Sequence, residues 1–205
     1  MRKITSILDV ENYLEGINGV IFDLDDTLYS EKQYVISGFR KIADFLELSD
    51  AEIKLRDYFE NQEPAIDKYL AEINSLSLKD KCIDIYRSQM PDITLYNGVI
   101  DMLFRLRKLG KKTGIITDGR VEGQKNKIIA LGLDRIVDDI IITDELGGIE
   151  FRKPNDTAFR IMQDRWQIPF DQMVYIGDNL RKDFQAPKRL KMKCLFFKNV
   201  NSLYF

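Results

Sequence analysis

The chain has no histidine among its 205 residues. Histidine is the side chain that ordinarily exchanges a proton near neutral pH, and Ser-His-Asp sets, Cys-His sets and imidazole-bound zinc sites all require it. Its absence excludes these three classes of mechanism. Any catalyst built from this chain must therefore work with carboxylates, lysine and a metal ion.

Cysteine and long apolar runs are also scarce. Cys82 and Cys194 lie far apart and do not have the spacing of metal ligands, which favours reduced, structural thiols over a disulfide framework. No apolar run approaches the length that crosses a bilayer, and residues 1–3 are not followed by the apolar core of a signal peptide. We therefore expect a soluble, cytoplasmic protein without a membrane partner.

The charge pattern shows no excess of either sign. The chain has 31 basic and 33 acidic residues, a formal net charge of -2, and the two signs are interspersed. Without a broad basic surface, nucleic acid is disfavoured as a partner, whereas a local site for a small anion remains open.

Apolar spacing divides the chain into two kinds of sequence. Residues 31–90 carry helical periodicity without a strand pattern, which predicts about four amphipathic helices in an inserted all-α unit. Residues 1–30 and 91–205 predict an α/β domain with a parallel sheet, because strand and helix patterns alternate there. The predicted strands lie near residues 20–22, 113–117, 139–143, 173–176 and 194–196, and the later helices lie at 99–109, 124–131, 155–165 and 183–190.

The most informative stretch is residues 19–29, in which a short apolar run ends in Asp23, Asp25 and Asp26. Carboxylates held close together repel, raise one another's pKa values and attract a cation. Three acids directly after a core strand therefore predict a Mg²⁺ site and charge-transfer chemistry. The alternative interpretation is a strand followed by an acidic, solvated turn.

Polar residues follow two further strands in the same way. Residues 117–120 are Thr-Asp-Gly-Arg, and residues 177–179 are Gly-Asp-Asn, with Asp183 a helical turn later. Lys153 directly precedes Pro154, which suits the first turn of a helix. Ligands of open α/β sheets bind beyond the carboxyl ends of the strands, so we expect these residues to meet there. Singly, each residue has a plainer explanation as a helix cap or a surface lysine.

In this order and spacing, the four segments resemble the motifs of the haloacid dehalogenase superfamily. Residues 23–27 match its first motif, Thr117 its second, Lys153 its third and residues 177–183 its fourth. The match is to the phosphatase branch with a helical cap of the first type, since residues 31–90 fall where that branch inserts its cap. The resemblance implies a Rossmann-like α/β core with helices on both faces of a parallel sheet.

The resemblance also implies a two-step phosphoryl transfer. Asp23 would be the nucleophile that forms an aspartyl-phosphate. Asp25 would protonate the departing oxygen and later deprotonate the attacking water, provided that burial or its acidic neighbours raise its pKa. Because the dehalogenase branch lacks this second aspartate, Asp25 argues for phosphoryl transfer.

Further roles implied by the resemblance concern the phosphate. Thr117 would donate its hydroxyl to a phosphate oxygen, with help from the backbone N–H groups of Asp118 and Gly119. Lys153 would hold Asp23 ionised and neutralise charge on the phosphoryl group.

The metal site implied by the resemblance holds Mg²⁺. Its ligands would come from Asp23, the main-chain carbonyl of Asp25, and Asp178, while Asp183 would orient the lysine or a metal-bound water.

Two positions depart from the family's usual pattern. Asp118 stands where many relatives have Asn or Ser, and we expect its carboxylate to turn away from the phosphate, toward Arg120. Pro187 falls where relatives continue a helix of small residues, so this helix should start late or be kinked.

The predicted activity is hydrolysis of a small phosphate monoester, either a sugar phosphate or a nucleoside monophosphate. A phosphomutase of the same superfamily and a catalytically silent anion-binding or interaction protein are the alternatives. The partner is then a small phosphorylated metabolite, and a monomer and a homodimer both remain open. Candidates for contacting the leaving group, which could equally pack or anchor the cap hinge, are Tyr29, Ser30, Gln33, Tyr34 and Arg40.

Overall fold

The computed structural model describes residues 1–199, which form one six-stranded sheet with helices on both of its faces. The strand order is β1-β6-β5-β2-β3-β4, and every neighbouring pair is parallel. The predicted parallel α/β sheet is confirmed. The strands are β1 (Arg2–Ile4), β2 (Gly19–Phe22), β3 (Lys112–Thr117), β4 (Asp139–Ile142), β5 (Met173–Gly177) and β6 (Lys193–Phe197).

Within residues 1–199, eight α-helices pack against the sheet or form the helical unit that follows β2. None of the helices in the described part of the chain is long and apolar enough to cross a membrane. The four between β2 and β3 are α1 (Glu31–Leu46), α2 (Ala51–Glu60), α3 (Ala65–Glu72) and α4 (Lys79–Ser88). The others are α5 (Val99–Lys108), α6 (Val121–Ala130), α7 (Thr157–Trp166) and α8 (Gln185–Arg189), and short 3-10 helices lie at Ile7–Tyr13, Leu76–Leu78, Leu133–Arg135, Thr143–Leu146, Ile149–Phe151 and Phe170–Gln172.

The central strand, β2, is buried on both faces. Val20 and Phe22 pack into the cluster that includes α5 and α6, while Ile21 packs into the cluster of α7 and α8 on the other face. This alternation follows from the two-residue period of a strand. Burial on both sides explains why a parallel strand is continuously apolar in sequence.

Helices α1 to α4 share an apolar cluster of their own. Phe39 and Ile42 of α1 meet Leu55 of α2, Tyr69 of α3 and Cys82 of α4 in this cluster. These residues produce the helical periodicity in the sequence, because one stripe of each helix faces the common centre.

This helical unit contacts the α/β part at several points. The side-chain amide of Asn126 in α6 donates to the backbone oxygens of Ser88 and Gln89 at 3.1 and 3.0 Å. The side chain of Gln33 exchanges hydrogen bonds with the backbone N–H and carbonyl of Thr94. These contacts hold α1 and α4 above the carboxyl ends of the strands.

Several boundaries differ from the predictions. Strand β1 was not predicted, because only one of its three residues is buried and its apolar signal is short. Helix α6 begins at Val121, three residues early, and α7 begins at Thr157, so Pro154 precedes α7 and is not in its first turn. The expected late start of α8 is confirmed: the helix begins at Gln185, and Pro187 occupies a first-turn position that needs no N–H donor.

The packing of Trp166 on β3 gives a test of the core. An alanine Cβ at position 114 would lie 2.8 Å from Trp166 Cζ2 and 2.9 Å from Met162 Cε. We expect Gly114→Ala to lower the free energy of unfolding in urea by about 1–3 kcal/mol, because overpacking forces core side chains to move.

The matched control is Gly123→Ala in α6, where the nearest heavy atom lies 3.6 Å from the added Cβ. Alanine favours a helix over glycine by about 0.5–1 kcal/mol, so this variant should be neutral or slightly more stable. Equal stabilities for the two variants would contradict the packing described for Trp166.

Candidate active site

The site is built where three adjacent strands end. Phe22 of β2 pairs with Ile115 of β3 and Ile176 of β5, so the residues that follow these positions emerge side by side. Asp23 is the first of them: its backbone N–H donates to the oxygen of Ile176 at 2.8 Å. Its side chain is almost completely buried, at 2% exposure.

Lys153 lies at the centre of the buried polar group. Its Nζ is 2.6 Å from Asp23 Oδ1, 2.9 Å from Asp183 Oδ1 and 2.9 Å from the hydroxyl of Tyr175. An ammonium has three hydrogens to donate, so these three partners satisfy it. Asp183 also accepts from the backbone N–H of Asn179 at 2.9 Å, which fixes the carboxylate that orients the lysine.

The buried group around Lys153 contains more acidic side chains than basic ones. The pKa of Asp23 is raised to about 6, because burial and the neighbouring Asp183 raise it by more than Lys153 and Lys182 lower it. Burial lowers the pKa of Lys153, but the carboxylates of Asp183 and Asp23 outweigh burial and raise it well above its ordinary value. The lysine is therefore an ammonium at neutral pH. Lys182 adds a second positive charge, but it also pairs with Asp118 at 3.4 Å, so the two lysines do not balance the acids around them.

A third acid, Asp178, joins the group directly after β5. Asp23, Asp178 and Asp183 each offer a carboxylate oxygen within 4.8 Å of the others, and all three residues are buried. Three buried carboxylates beside two lysines favour further positive charge, and hard oxygen donors are the ligands that Mg²⁺ prefers. The donor set therefore fits this cation.

Asp25 belongs to a second group, on the side of the site that faces α6. Its Oδ1 accepts from the Tyr29 hydroxyl at 2.5 Å and from Lys127 Nζ at 2.7 Å, and its Oδ2 accepts from Gln124 Nε2 at 2.9 Å. The same Gln124 nitrogen donates to the hydroxyl oxygen of Thr117. Gln124 thus joins the ends of β2 and β3.

The protonation expected for Asp25 needs a correction. Burial raises the pKa of Asp25, but the charge of Lys127 and the hydrogen bonds from Lys127, Tyr29 and Gln124 together lower it below its ordinary value. The condition that its pKa be raised is not met by the protein alone. A dianionic phosphoryl group nearby would raise this pKa, because like charges disfavour the ionised carboxylate.

The segment after β3 also differs from the prediction. The Asp118 carboxylate accepts from Thr143 Oγ1 and from the backbone N–H of Lys153 at 3.0 Å and lies 3.4 Å from Lys182. Among the contacts of the described residues, it has none with Arg120. Lys182 reaches it from the loop after β5.

Gly119 lies beside a second carboxylate, that of Asp144. The pKa of Asp144 is lowered first by its hydrogen bonds from Arg152 and also by the backbone N–H of Gly119. Thr117, which is fully buried, and the N–H groups of Asp118 and Gly119 remain the predicted phosphate donors.

Two connected cavities of about 260 Å³ each form the cleft at this edge of the sheet. They share Asp25, Glu31 and Asp118. The first is lined by the acidic group with Arg152 and Lys182, and the second by residues of α1, α4 and α6 that include Tyr34, Arg87 and Lys127. A larger cavity of about 430 Å³ lies at the opposite edge, beside the first residues of β6.

The candidates for leaving-group contact separate into two sets. Tyr34 lines the cleft. Tyr29 does not reach it, because its ring is fully buried and its hydroxyl binds Asp25. Gln33 binds the backbone of Thr94, and Arg40 pairs with Asp92 at 3.0 Å, so both anchor the connection to the helical unit.

Sequence reasoning missed Gln124, Lys127, Lys182 and Tyr175. The usable signal was a polar pair three residues apart, Gln124 and Lys127, in the helix that follows the carboxyl end of β3. Residues so spaced share one face of a helix. Spacing alone does not distinguish a buried lysine from the solvated lysines common on helices.

Known proteins resemble this chain over most of its length. The family model described as "Haloacid dehalogenase-like hydrolase" matches residues 20–197. A protein of Methanocaldococcus jannaschii named "Glyceraldehyde 3-phosphate phosphatase" is 28% identical over 191 residues, which cover 86% of this chain and 82% of that protein.

Solved structures share the fold. A HAD-superfamily hydrolase from Geobacter sulfurreducens superposes with a TM-score of 0.68 at 14% identity, covering 90% of this chain and 89% of that one. The HAD-hydrolase YfnB of Bacillus subtilis, in a structure bound to magnesium, gives 0.62 at 18% identity and covers 88% and 86%.

The buried group around Lys153 gives a stability prediction. With a chelator present to remove divalent metal ions, we expect Lys153→Met to lower the free energy of unfolding at neutral pH by about 3–5 kcal/mol. The substitution leaves Asp23 and Asp183 buried without the lysine ammonium. The loss should be smaller at pH 5 than at pH 8, since protonation relieves the buried Asp23, whose pKa is already raised to about 6. Urea unfolding at the two pH values measures both effects.

Lys79→Met is the matched control. Its ammonium lies 2.7 Å from Asp67, but both side chains are more than 40% exposed, and such surface pairs contribute only about 0–1 kcal/mol. If Lys153→Met lowered the free energy of unfolding no more than Lys79→Met does, the ion pairs of Lys153 would not stabilise the buried carboxylates as described.

Proposed function

This chain belongs to the haloacid dehalogenase-like hydrolases, and from that premise we propose that it hydrolyses the monoester of a small sugar phosphate by way of a phosphorylated Asp23. The observation that carries the proposal is the cluster at the sheet edge, where Asp23 contacts Lys153 and Asp25 follows two residues later. The family and its relatives named as phosphatases support hydrolysis of a phosphate monoester.

The substrate is proposed from the relatives and from the cleft. Curated relatives carry the name glyceraldehyde 3-phosphate phosphatase, which favours a short phosphorylated sugar over a nucleoside monophosphate. Two adjoining spaces of about 260 Å³ suit a phosphoryl group and a small leaving group. Glyceraldehyde 3-phosphate is accordingly the first substrate to test.

The reaction has two displacements at phosphorus. An Asp23 carboxylate oxygen bonds to phosphorus as the ester bond breaks, and Asp25 gives a proton to the departing oxygen. Water then attacks the aspartyl-phosphate, Asp25 takes the proton of the water, and the bond from phosphorus to Asp23 breaks. The phosphate dianion raises the pKa of Asp25 on arrival, which supplies the protonated form for the first step.

The remaining groups neutralise and orient the phosphate. Lys153 keeps Asp23 ionised and offsets charge on the phosphoryl oxygens. The Thr117 hydroxyl accepts from Gln124 and can donate its own hydrogen to a phosphate oxygen. The N–H groups of Asp118 and Gly119 are the other proposed donors.

Mg²⁺ is the proposed cofactor. Asp23, Asp178 and the main-chain carbonyl of Asp25 would hold it, and it would supply positive charge to the phosphoryl oxygens. Asp183 lies within the same cluster, but both of its oxygens already accept from Lys153 and Asn179. We therefore assign Asp183 to orienting the lysine.

Residues 31–90 are proposed to act as a type-1 helical cap on a core of residues 1–30 and 91–205. Their separate apolar cluster and their position over the sheet edge support this division. A cap above the cleft would exclude water during phosphoryl transfer.

The first test of the proposal removes the nucleophile. With Mg²⁺ present, Asp23→Asn should lower phosphate release from glyceraldehyde 3-phosphate and from an aryl phosphate by about 10⁴-fold or more, as loss of a covalent nucleophile does elsewhere. Asp171→Asn, at the exposed opposite end of β5, should keep full activity. Retained turnover in Asp23→Asn would reject this residue as the nucleophile.

Metal binding is tested apart from activity. Saturating Mg²⁺ should raise the melting temperature of the wild type, since a ligand at 100 times its Kd stabilises a folded protein by about 2.7 kcal/mol. Asp178→Asn should lose this shift, and Asp171→Asn should keep it. A shift that survives Asp178→Asn would place the ion elsewhere.

A further inference from the structure

Helix α6 turns a polar face toward the interior. Gln124 and Lys127 lie one turn apart on this helix and are only 3% and 5% exposed. Lysine is rarely buried to this degree unless a partner compensates its charge. The resemblance to the family assigns neither residue a role.

The Lys127 ammonium lies between the two parts of the molecule. Its Nζ is 2.7 Å from Asp25 Oδ1 in the α/β part and 4.3 Å from the ring centroid of Tyr34 in α1. A cation over a ring face is attracted by the ring quadrupole, and the ring also shields the ion pair from water. The lysine is thus held by a carboxylate on one side and an aromatic ring on the other.

The donors around Asp25 distinguish its two oxygens. A carboxylate oxygen has about two lone-pair sites. Oδ1 accepts from both Tyr29 and Lys127, which fills its sites, whereas Oδ2 accepts from Gln124. Among the contacts of the described residues, Oδ2 is therefore the oxygen with a site left for a proton.

We propose that Lys127 and Gln124 are positioning residues that fix the Asp25 carboxylate so that Oδ2 exchanges the proton with the substrate. This inference rests on the proposed phosphatase activity. In the first step the Oδ2–H bond breaks as the departing ester oxygen gains that hydrogen and its bond to phosphorus breaks. In the second step an O–H bond of the attacking water breaks as its hydrogen moves to Oδ2. The water oxygen then bonds to phosphorus, and the bond from phosphorus to Asp23 breaks.

Gln124 adds a connection to the phosphate side of the site. Its Nε2 donates to both Asp25 Oδ2 and Thr117 Oγ1, so one amide sets the separation of the acid from the proposed phosphate donor. Correct placement of a catalytic group relative to the reacting atoms accounts for a large part of enzymatic rate. Loss of the amide should therefore affect turnover more than substrate affinity.

The test compares Lys127→Met with Lys125→Met. Lys125 lies on the same helix, but its side chain is 54% exposed and pairs with Glu145 on the surface. We expect Lys127→Met to lower kcat for an alkyl phosphate by about 10–100-fold, the usual effect of losing a partner that orients a ligand or catalytic group. The loss should be much smaller for an aryl phosphate, whose departing oxygen needs less protonation, and Lys125→Met should match the wild type for both esters.

A double-mutant cycle separates positioning from a structural role. Asp25→Asn keeps the shape of the side chain, and in this background Lys127→Met should cause no further loss, because the lysine acts through Asp25. The inference would be overturned if Lys127→Met lowered kcat equally in the wild-type and Asp25→Asn backgrounds. It would also be overturned if Lys127→Met lowered kcat equally for aryl and alkyl esters. If Lys127→Met is too unstable to assay, Gln124→Met should give the same ester dependence and the same masking by Asp25→Asn.

The outcomes also separate this inference from the activity on which it rests. Impaired Asp25→Asn together with fully active Lys127→Met and Gln124→Met would reject the positioning role alone. Wild-type protein that released no phosphate, or Asp25→Asn as active as the wild type, would reject the proposed chemistry and this inference with it.

Discussion

The ammonium of Lys153 is the interaction on which the site depends. It lies within 2.9 Å of Asp23 at the end of β2, of Tyr175 within β5 and of Asp183 in the loop after β5. Burying these carboxylates would be strongly unfavourable without a cation among them. Because the lysine satisfies two of them at once, the central strand can end in a buried aspartate at the edge where open α/β sheets generally bind their ligands.

Lys153 and Lys182 together leave the cluster short of positive charge, and this shortage connects structure to chemistry. Asp23 keeps a pKa of about 6 even beside Lys153, and Asp178 adds another buried carboxylate nearby. A divalent cation would remove the imbalance and keep Asp23 ionised as a nucleophile. The carboxylates whose burial destabilises the folded protein are the same residues proposed to hold the metal ion and the phosphoryl group.

The sequence was sufficient to predict that Asp23, Lys153, Asp178 and Asp183 meet, because these residues follow the order of the motifs and the carboxyl ends of parallel strands share one edge. Runs such as 19–22 and 173–177 are continuously apolar since they are buried on both faces. Which charged side chains form ion pairs with one another was not predictable in this way. Asp118 contacts Lys182 rather than the adjacent Arg120 because the fold brings a distant loop closer than the neighbouring side chain. The boundaries of α6 and α7 also shifted, since helix ends depend on tertiary contacts.

The pKa of Asp25, which matters for its proposed role as an acid, also depends on contacts that the sequence did not reveal. Neighbouring acids in the sequence suggested a raised pKa, but the side chain faces α6, where Lys127 and Gln124 lower it. Lys127 also contacts the ring of Tyr34 in α1, so the group that fixes the acid touches the helical unit above the cleft. Displacement of α1 would remove the ring and expose the Asp25–Lys127 pair to water, where ion pairs are weaker. The position of the helical unit and the state of the proposed acid are therefore physically linked through one buried lysine.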